Sequence, residues 1–486
     1  MGVLDGFEPR KVLKYFEEIC GIPHGSGNTK QISDYLAGFA AERGLRYIQD
    51  EYNNVVIYQE GTGDRAGSAP VILQGHMDMV CEKEDWCDKD MEHEHIDLEV
   101  TETFEAAWIS AKGTTLGGDD GIAVAYMLAI LDSPEIVHPP LECVFTVDEE
   151  IGMLGAAAMD MSCLSGRTMI NLDSEEEGYI LASCAGGATV TVHLPVMTDK
   201  TESGTALTVT VSGLYGGHSG TEIDKGRAIA NVVIGRALYN IRKQDATLRL
   251  ADIHGGLKDN AISRRCDAVI VTENPDGIRS VAEKLTELLR NEYKYTEPGI
   301  QVSVTESEMP ETAFDIYSTD RVITALMNLP YGIQSMSLDI KGLVETSLNP
   351  GILVTVPEDS EVQISYSVRS SVGSRKQELI DRLESLAVFL DGYITSMGDY
   401  PAWEYAPESR LRDIITEVFD EQYGREPVVQ ALHAGVECGL FAGNLPGLDA
   451  VSIGPDMVDI HTPQEHMIID SVQRTWELLL ETLKRL

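Results

Sequence analysis

The stretch Pro70-Val71-Ile72-Leu73-Gln74-Gly75-His76-Met77-Asp78 decides the fold. Its first four residues form a short apolar run that reads as a buried strand, and the strand delivers a histidine and an aspartate at its end. The pattern recurs twice. Leu141 to Val147 leads into Asp148-Glu149-Glu150, and Thr168 to Leu172 leads into Asp173. A further acidic segment, Gly117-Gly118-Asp119-Asp120-Gly121, stands immediately before the helical apolar run Ile122 to Leu131, and Asp459-Ile460-His461 lies near the other end. Ligands of open α/β sheets collect beyond the carboxyl ends of the strands. These separated segments are therefore expected to converge as a cluster of carboxylates and two histidines. Such an inventory suits two divalent metals sharing one water.

Working outward, Phe7 to Cys20 and Asn28 to Arg43 read as helices, the second with Ile32, Leu36, Phe39 and Ala40 on one face. Asn54 to Tyr58 reads as a strand. Strands alternating with helices imply a mostly parallel sheet covered by helices. From about Ala188 the texture changes: Thr189 to Leu194, Leu207 to Val211, Asp267 to Thr272 and Val362 to Val368 alternate apolar and polar residues, as half-exposed strands do. Gly226 to Ile241, Ile278 to Asn291 and Lys376 to Leu390 read as helices among them. The expected organisation is an α/β domain over residues 1–186, an inserted α+β domain over 187–395, and a return to the first domain over 396–486, which brings His461 back to the other ligands. After His461, Thr462-Pro463-Gln464-Glu465 has the N-cap Thr, first-turn Pro and third-position Glu of a helix start. No internal repeat and no low-complexity segment is visible.

A chain of 486 residues exceeds one ordinary core. No segment has the apolar length of a membrane span. Met1 to Asp5 lacks the basic and apolar regions of a signal peptide, and Gly6 stands where a myristoylation signal wants Ser or Thr. The 8 cysteines are scattered without paired metal spacing and fit free thiols in a reducing compartment. Cytoplasm is the expected location. The formal charge of −42 repels phosphate backbones, so a nucleic-acid partner is not expected; an acidic surface of this kind usually serves solubility.

Each motif alone has an ordinary structural reading. A histidine at a strand end is usually a satisfied polar residue, the Gly117–Gly121 segment is a tight turn with an Asp cap, and Glu149-Glu150 is an acidic turn. Glu175-Glu176-Glu177 reads as a solvated face. Their joint placement at strand and helix ends is what points to metal. Asp78, two residues from His76 on extended chain, points the same way and can fix the His76 tautomer. Of the paired glutamates, one can ligate while the other stays free as general base. His461 is preferred to His466, which falls in the apparent first turns of the following helix. His93-x-His95 lies in a strongly charged stretch and reads as a surface loop. His218-Ser219 lacks the nucleophile-elbow pattern, and the glycine-rich pieces contain neither a Rossmann fingerprint nor a P-loop.

The order His-x-Asp, Gly-x-Asp-Asp-Gly, Asp-Glu-Glu, Asp and a C-terminal His resembles the di-zinc aminoacylase, carboxypeptidase and dipeptidase superfamily. Within it, Gln74 to Val80, Thr115 to Gly117, Gly216 to Gly220, Lys258 to Ile262 and His433 to Gly439 are similar to the aminoacyl-histidine (Xaa-His, cytosol nonspecific) dipeptidases. The resemblance runs nearly end to end. It implies a zinc-exopeptidase-like sheet with an inserted lid or dimerisation domain. Asp119 would bridge two zinc ions, for which manganese or cobalt could substitute. His76 and Asp173 would complete one metal's ligands and Glu150 and His461 the other's. Glu149 would move the proton of the bridging water, and Asp78 would orient His76. From the lid, His218 would stabilise the oxyanion while Asn260, Arg369 and His433 hold the substrate's termini. The family's peptide between Asp119 and Asp120 is often cis. Asp120 is a departure, since many relatives carry Asn there.

The implied function is hydrolysis of small unblocked dipeptides, Xaa-His such as β-Ala-His among them. On the same metal chemistry the alternative is an N-acyl-amino-acid amidohydrolase; a non-catalytic metal-stabilised binding protein would have to lack the base, and Glu149 is present. Relatives are often dimers, which makes a homodimer through the lid one arrangement; an inserted domain of this size allows the other, a complete site within one chain. No membrane partner is expected.

Overall fold

In the computed structural model, which describes residues 2–104 and 106–486, the chain divides into two units. The first comprises Met1–Cys184, Tyr405–Ala431 and Val436–Leu486; the second comprises Ala185–Glu404 and Leu432–Gly435.

The first unit is built on a mixed sheet in the order 46–49, 55–59, 141–146, 71–76, 168–171, 449–452, 179–184 and 428–432. The four strands from Leu141–Thr146 to Asp449–Ser452 are parallel, as the alternation predicts. The pairs that flank them, Arg46–Gln49 with Val55–Gln59 and Val55–Gln59 with Leu141–Thr146, are antiparallel. Strand Val71–His76 lies between two parallel neighbours and is buried at every position, which is why it reads as a continuous apolar run. Helix Gly118–Leu131 is buried at every residue. A helix apolar all round belongs inside a core, and this one lies in the same core cluster as helix Arg10–Cys20 and the sheet. All four parallel strands end at one edge of the sheet, so His76, the Asp148–Glu150 turn and Asp173 emerge together.

A second, four-stranded sheet in this unit joins 457–458, 466–468, 107–111 and 98–102. Met457–Val458 and His466–Ile468 form a hairpin, and His461 sits in its loop. The helix expected to begin at Thr462 begins instead at Ile469 and runs to Arg485. The capping chemistry of Glu465 is real but serves another helix, as shown below.

The second unit contains a duplication invisible in the sequence. Residues 205–212, 230–244, 249–255, 266–272, 275–292 and 301–306 form a strand-helix-strand-strand-helix-strand unit, and residues 186–195, 316–328, 344–356, 361–370, 373–389 and 393–400 form another. The sheet order is palindromic: the inner strands run fourth, first, third, second, and the outer strands continue second, third, first, fourth. The inner unit is inserted into the first connection of the outer one. The seam is a short antiparallel pairing, His254 with Val354 and Gly255 with Leu353. Asn231 reinforces it, donating from Nδ2 to the carbonyls of Pro350 (2.9 Å), Gly351 (3.2 Å) and Gly255 (3.3 Å). The edge strand Tyr393–Tyr400 carries this unit beyond residue 395. The Ala185 N–H donates to the carbonyls of Leu432 (3.0 Å) and Ala434 (3.1 Å), which ties the His433 segment to the same unit.

Candidate metal centre

Asp119 is the hub of the first unit's polar cluster. Its Oδ1 lies 3.1 Å from His76 Nε2 and its Oδ2 lies 3.0 Å from His461 Nε2. Each carboxylate oxygen therefore faces a different imidazole, the disposition of a bridging ligand. His76 Nε2 is also 3.5 Å from Asp173 Oδ1, and His461 Nε2 is 2.8 Å from Glu150 Oε1. His76, Asp119 and Glu150 bring one donor atom each within 4.8 Å of one another, as do His76, Asp120 and Asp173. The peptide between Asp119 and Asp120 is cis.

Hydrogen bonds fix the first histidine's tautomer. His76 Nδ1 donates to the backbone carbonyl of Asp78 at 2.9 Å, with the Asp78 Oδ1 at 3.4 Å, which leaves Nε2 free to ligate. The Asp78 carboxylate does a second thing that spacing does not reveal. It accepts from Ser26 Oγ (2.8 Å) and from the backbone N–H groups of Glu149 (3.1 Å) and Glu150 (3.5 Å). Burial pushes Asp78 upward, but these bonds and the His76 ring outweigh it and hold the carboxyl below its ordinary range. One carboxylate thus couples the His76 strand to the acidic turn.

The charge balance fits cations. Hydrogen bonds donated to the Asp119 and Glu150 carboxylates push His461 up to about 10. Burial, with His76 opposing it and further carboxylates adding to it, pushes Glu149 up to about 9. Burial likewise raises Asp173 to about 6. Asp120 accepts from the His76 backbone N–H at 3.2 Å through Oδ2, and its buried Oδ1 has no hydrogen-bond partner among the described residues. Buried carboxylates at this density are costly unless paired with positive charge, and mixed imidazole and carboxylate donors suit zinc, manganese or cobalt. Glu150 Oε1 faces His461 Nε2, and among the described residues Glu149 has no such histidine contact.

Two buried residues were not anticipated. Glu437 accepts through Oε2 from Gln74 Nε2 (2.5 Å) and Thr146 Oγ1 (2.6 Å), and Gln74 Oε1 accepts from Asn171 Nδ2 (2.6 Å). Gln74 and Asn171 each stand two residues before a candidate ligand, so this network ties three parallel strands together beneath the cluster. The other is Glu465, whose carboxylate reaches the turn that carries Asp119. Glu177 departs from the solvated-face reading: it is held by both Nε and Nη2 of Arg474 at 2.6 and 2.7 Å. His466 packs against the Trp108 ring, and His93 and His95 pair with Asp90 and Asp97 on the surface.

The remaining candidates belong to the second unit. His218 pairs with Ala261 across a two-residue ladder, which sets it beside Asn260, and Asn349 Nδ2 holds the Asn260 loop through the carbonyls of Asp259 and Ala261. His218 Nδ1 accepts from the N–H groups of Gly220 (3.2 Å) and Thr221 (3.1 Å). The ring is thereby the tautomer with Nε2–H, a neutral donor, and burial followed by the Arg369 charge lowers its pKa. His433 binds Ser347 Oγ at 2.7 Å; burial, then Arg369, brings it down to about 3, so it stays neutral. Arg369 is buried and donates to Tyr400 Oη at 3.1 Å.

Comparison with known proteins gives the family. Residues 72–485 match peptidase family M20/M25/M40. The chain belongs to that family. It is a metallopeptidase, a hydrolase. It is 35% identical over 489 aligned positions to the cytosol non-specific dipeptidase of Escherichia coli (strain K12), covering 100% of this chain and 99% of that protein. The crystal structure of aminoacylhistidine dipeptidase from Vibrio alginolyticus superposes with a TM-score of 0.92 at 34% identity, over 99% of this chain and 98% of that one. Aminopeptidase PepT from Bacillus cereus shares the fold at a TM-score of 0.55 and 16% identity, over 98% of both chains.

Proposed function

We propose that this M20 enzyme is a cytoplasmic dipeptidase that cleaves unblocked dipeptides, Xaa-His among them, at a two-metal centre. The observation that carries the reading is Asp119, with one carboxylate oxygen toward each of two histidines; the dipeptidase relatives cited above support the substrate class. His76, Asp119 and Asp173 would hold one zinc ion and Asp119, Glu150 and His461 the other, with manganese or cobalt as substitutes. Bound there, the metals supply Lewis acidity and lower the pKa of water to about 7.

Glu149 takes the proton from the attacking water and hands it to the leaving amine. Its buried position makes it a strong base in the metal-free centre, and added positive charge brings it toward the working pH. The second unit acts as the lid. His218 offers its Nε2–H to the developing oxyanion, a contact worth roughly 2.7–4 kcal/mol in comparable enzymes. Arg369 meets the substrate carboxylate, and Asn260 and His433 supply neutral polar contacts. Among the described residues no helix is long and apolar enough to cross a membrane.

The test is hydrolysis of β-Ala-His, Gly-His, Ala-Ala, Ala-Ala-Ala and N-acetyl-Met by chelated and then metal-restored enzyme. Metal-dependent cleavage of the free-amine dipeptides alone is expected; cleavage of N-acetyl-Met alone would replace this reading with an amidohydrolase. Glu149→Gln should lose turnover by several orders of magnitude while binding metal normally, and retained activity would remove Glu149 as the base.

A further inference from the structure

The turn that presents Asp119 is gripped by a side chain from the far end of the chain. Glu465 is 3% exposed. Its Oε2 accepts from the backbone N–H of Leu116 (2.8 Å) and Gly117 (3.2 Å), and its Oε1 from that of Gly118 (2.8 Å) and Asp119 (3.4 Å). Four successive donors converge on one carboxylate: Leu116 and Gly117 just ahead of the buried helix Gly118–Leu131, and Gly118 and Asp119 in its first turn, where Asp119 and Asp120 depart from helical geometry and leave backbone groups that need an acceptor from outside the helix. Glu465 is also four residues beyond His461, on the hairpin whose strand His466–Ile468 pairs with Trp108–Ser110. The same short segment therefore carries one candidate ligand and holds the backbone of another.

A neutral Asn or Ser caps a helix well, and burying a second carboxylate beside Asp119 is electrostatically unfavourable for the fold alone. The choice becomes favourable once cations occupy the centre. We propose that Glu465 is a positioning residue of the metal centre: by clamping residues 116–119 it fixes the Asp119 carboxylate relative to the His461 ring. The inference rests on the reading of His76, Asp119, Glu150, Asp173 and His461 as metal ligands. Asp119 makes its two contacts at 3.1 and 3.0 Å in different directions, so a displaced turn spoils both halves of the centre.

The experiment compares wild type, Glu465→Gln and Glu465→Asp. Each is stripped with chelator and titrated with zinc against a chromogenic competitor, and the visible spectrum of its cobalt-substituted form is recorded. In Glu465→Gln an amide N–H₂ faces two backbone donors, so metal affinity should fall 10- to 100-fold, as for other outer partners of metal ligands. The cobalt bands should shift, kcat should fall with little change in KM, and Glu465→Asp should recover part of the loss. Wild-type affinity and an unchanged cobalt spectrum in Glu465→Gln would overturn the proposal, whatever happened to its melting temperature. If that variant does not fold, Gly118→Ala serves instead, because the new Cβ would lie 3.2 Å from Glu465 Oε1; it should show the same spectral shift, and a wild-type spectrum would overturn the proposal equally. Failure of the wild-type protein itself to bind zinc or cobalt would instead overturn the ligand assignment beneath it.

Discussion

Replacing Glu437 with Gln isolates the cost of one buried carboxylate. Glu437 is fully buried, and burial, with His76 and the Thr146 hydrogen bond opposing it, pushes its pKa from 4.5 up to about 7. Its hydrogen bonds serve one oxygen only: Oε2 accepts from both Gln74 and Thr146, and Oε1 has no partner among the described residues, which suits a neutral acid better than a carboxylate charged on both oxygens. A Gln side chain reproduces that arrangement with an amide nitrogen at the Oε1 position. Between about pH 4.5 and 7 the unfolded chain releases the proton while the folded chain keeps it. Wild-type stability therefore falls as pH rises through this window. At about 1.4 kcal/mol per pKa unit, the rise from 4.5 to about 7 is worth about 3 kcal/mol. Gln carries no such dependence. Glu437→Gln should match wild type near pH 4.5 and exceed it by about 3 kcal/mol at pH 8 in chelated protein, measured as urea midpoints across that range; taking the difference cancels other titrating groups. Restored metal should shift the step to lower pH. Parallel pH profiles for the two proteins would refute the assignment of a buried, protonated Glu437.

Three further outcomes follow from particular contacts. Asp120→Asn keeps an acceptor for the His76 N–H and removes a carboxyl that burial, then Asp173, raises well above its ordinary range; the chelated variant should melt higher than wild type at pH 8 and retain activity in the metal-restored assay. Gly75→Ala would place a Cβ 2.5 Å from both Ala123 Cβ and Asp120 Oδ2, an overpacking that should cost about 1–3 kcal/mol in denaturant unfolding and weaken metal retention through the neighbouring His76. Asn231→Ala strands two or three carbonyls at the seam of the second unit and should lower its stability by about 1–3 kcal/mol, read by hydrogen exchange at Gly255 and Leu353, without changing metal stoichiometry.

The parallel core and the position of the acidic segments were legible because a buried strand announces itself as an apolar run and its end is where the chain turns polar. His76, Glu150 and Asp173 come together for that reason, while Asp119 arrives on the turn before a buried helix and His461 in a hairpin loop. Gln74, Thr146 and Asn171 carried a signal that was available and unused. Each is a buried polar residue on a mostly apolar strand, and such residues need buried partners; only the partner, Glu437, lay too far along the chain to be guessed. Glu465 shows the opposite failure. Its spacing from Thr462 matches a local helix cap, and local pattern cannot say which helix a carboxylate caps. The paired halves of the second unit left no trace, since topology survives when side chains diverge.

Nesting one half of that unit inside the other sets an order of events at the ribosome. The inner half closes on itself between residues 205 and 306, so all its strands have partners once that stretch has emerged. The first outer strand, Gly186–Pro195, must wait for Glu361–Ser370 and Tyr393–Tyr400, and the first unit's Thr168–Asn171, which has Val71–His76 on one side, waits longer still for Asp449–Ser452 on the other. Long loops close slowly, and during synthesis the early strands stand unpaired with their edges open. The strong negative charge of the chain then acts before any chemistry does, keeping half-made sheets of neighbouring molecules apart until the last strands arrive.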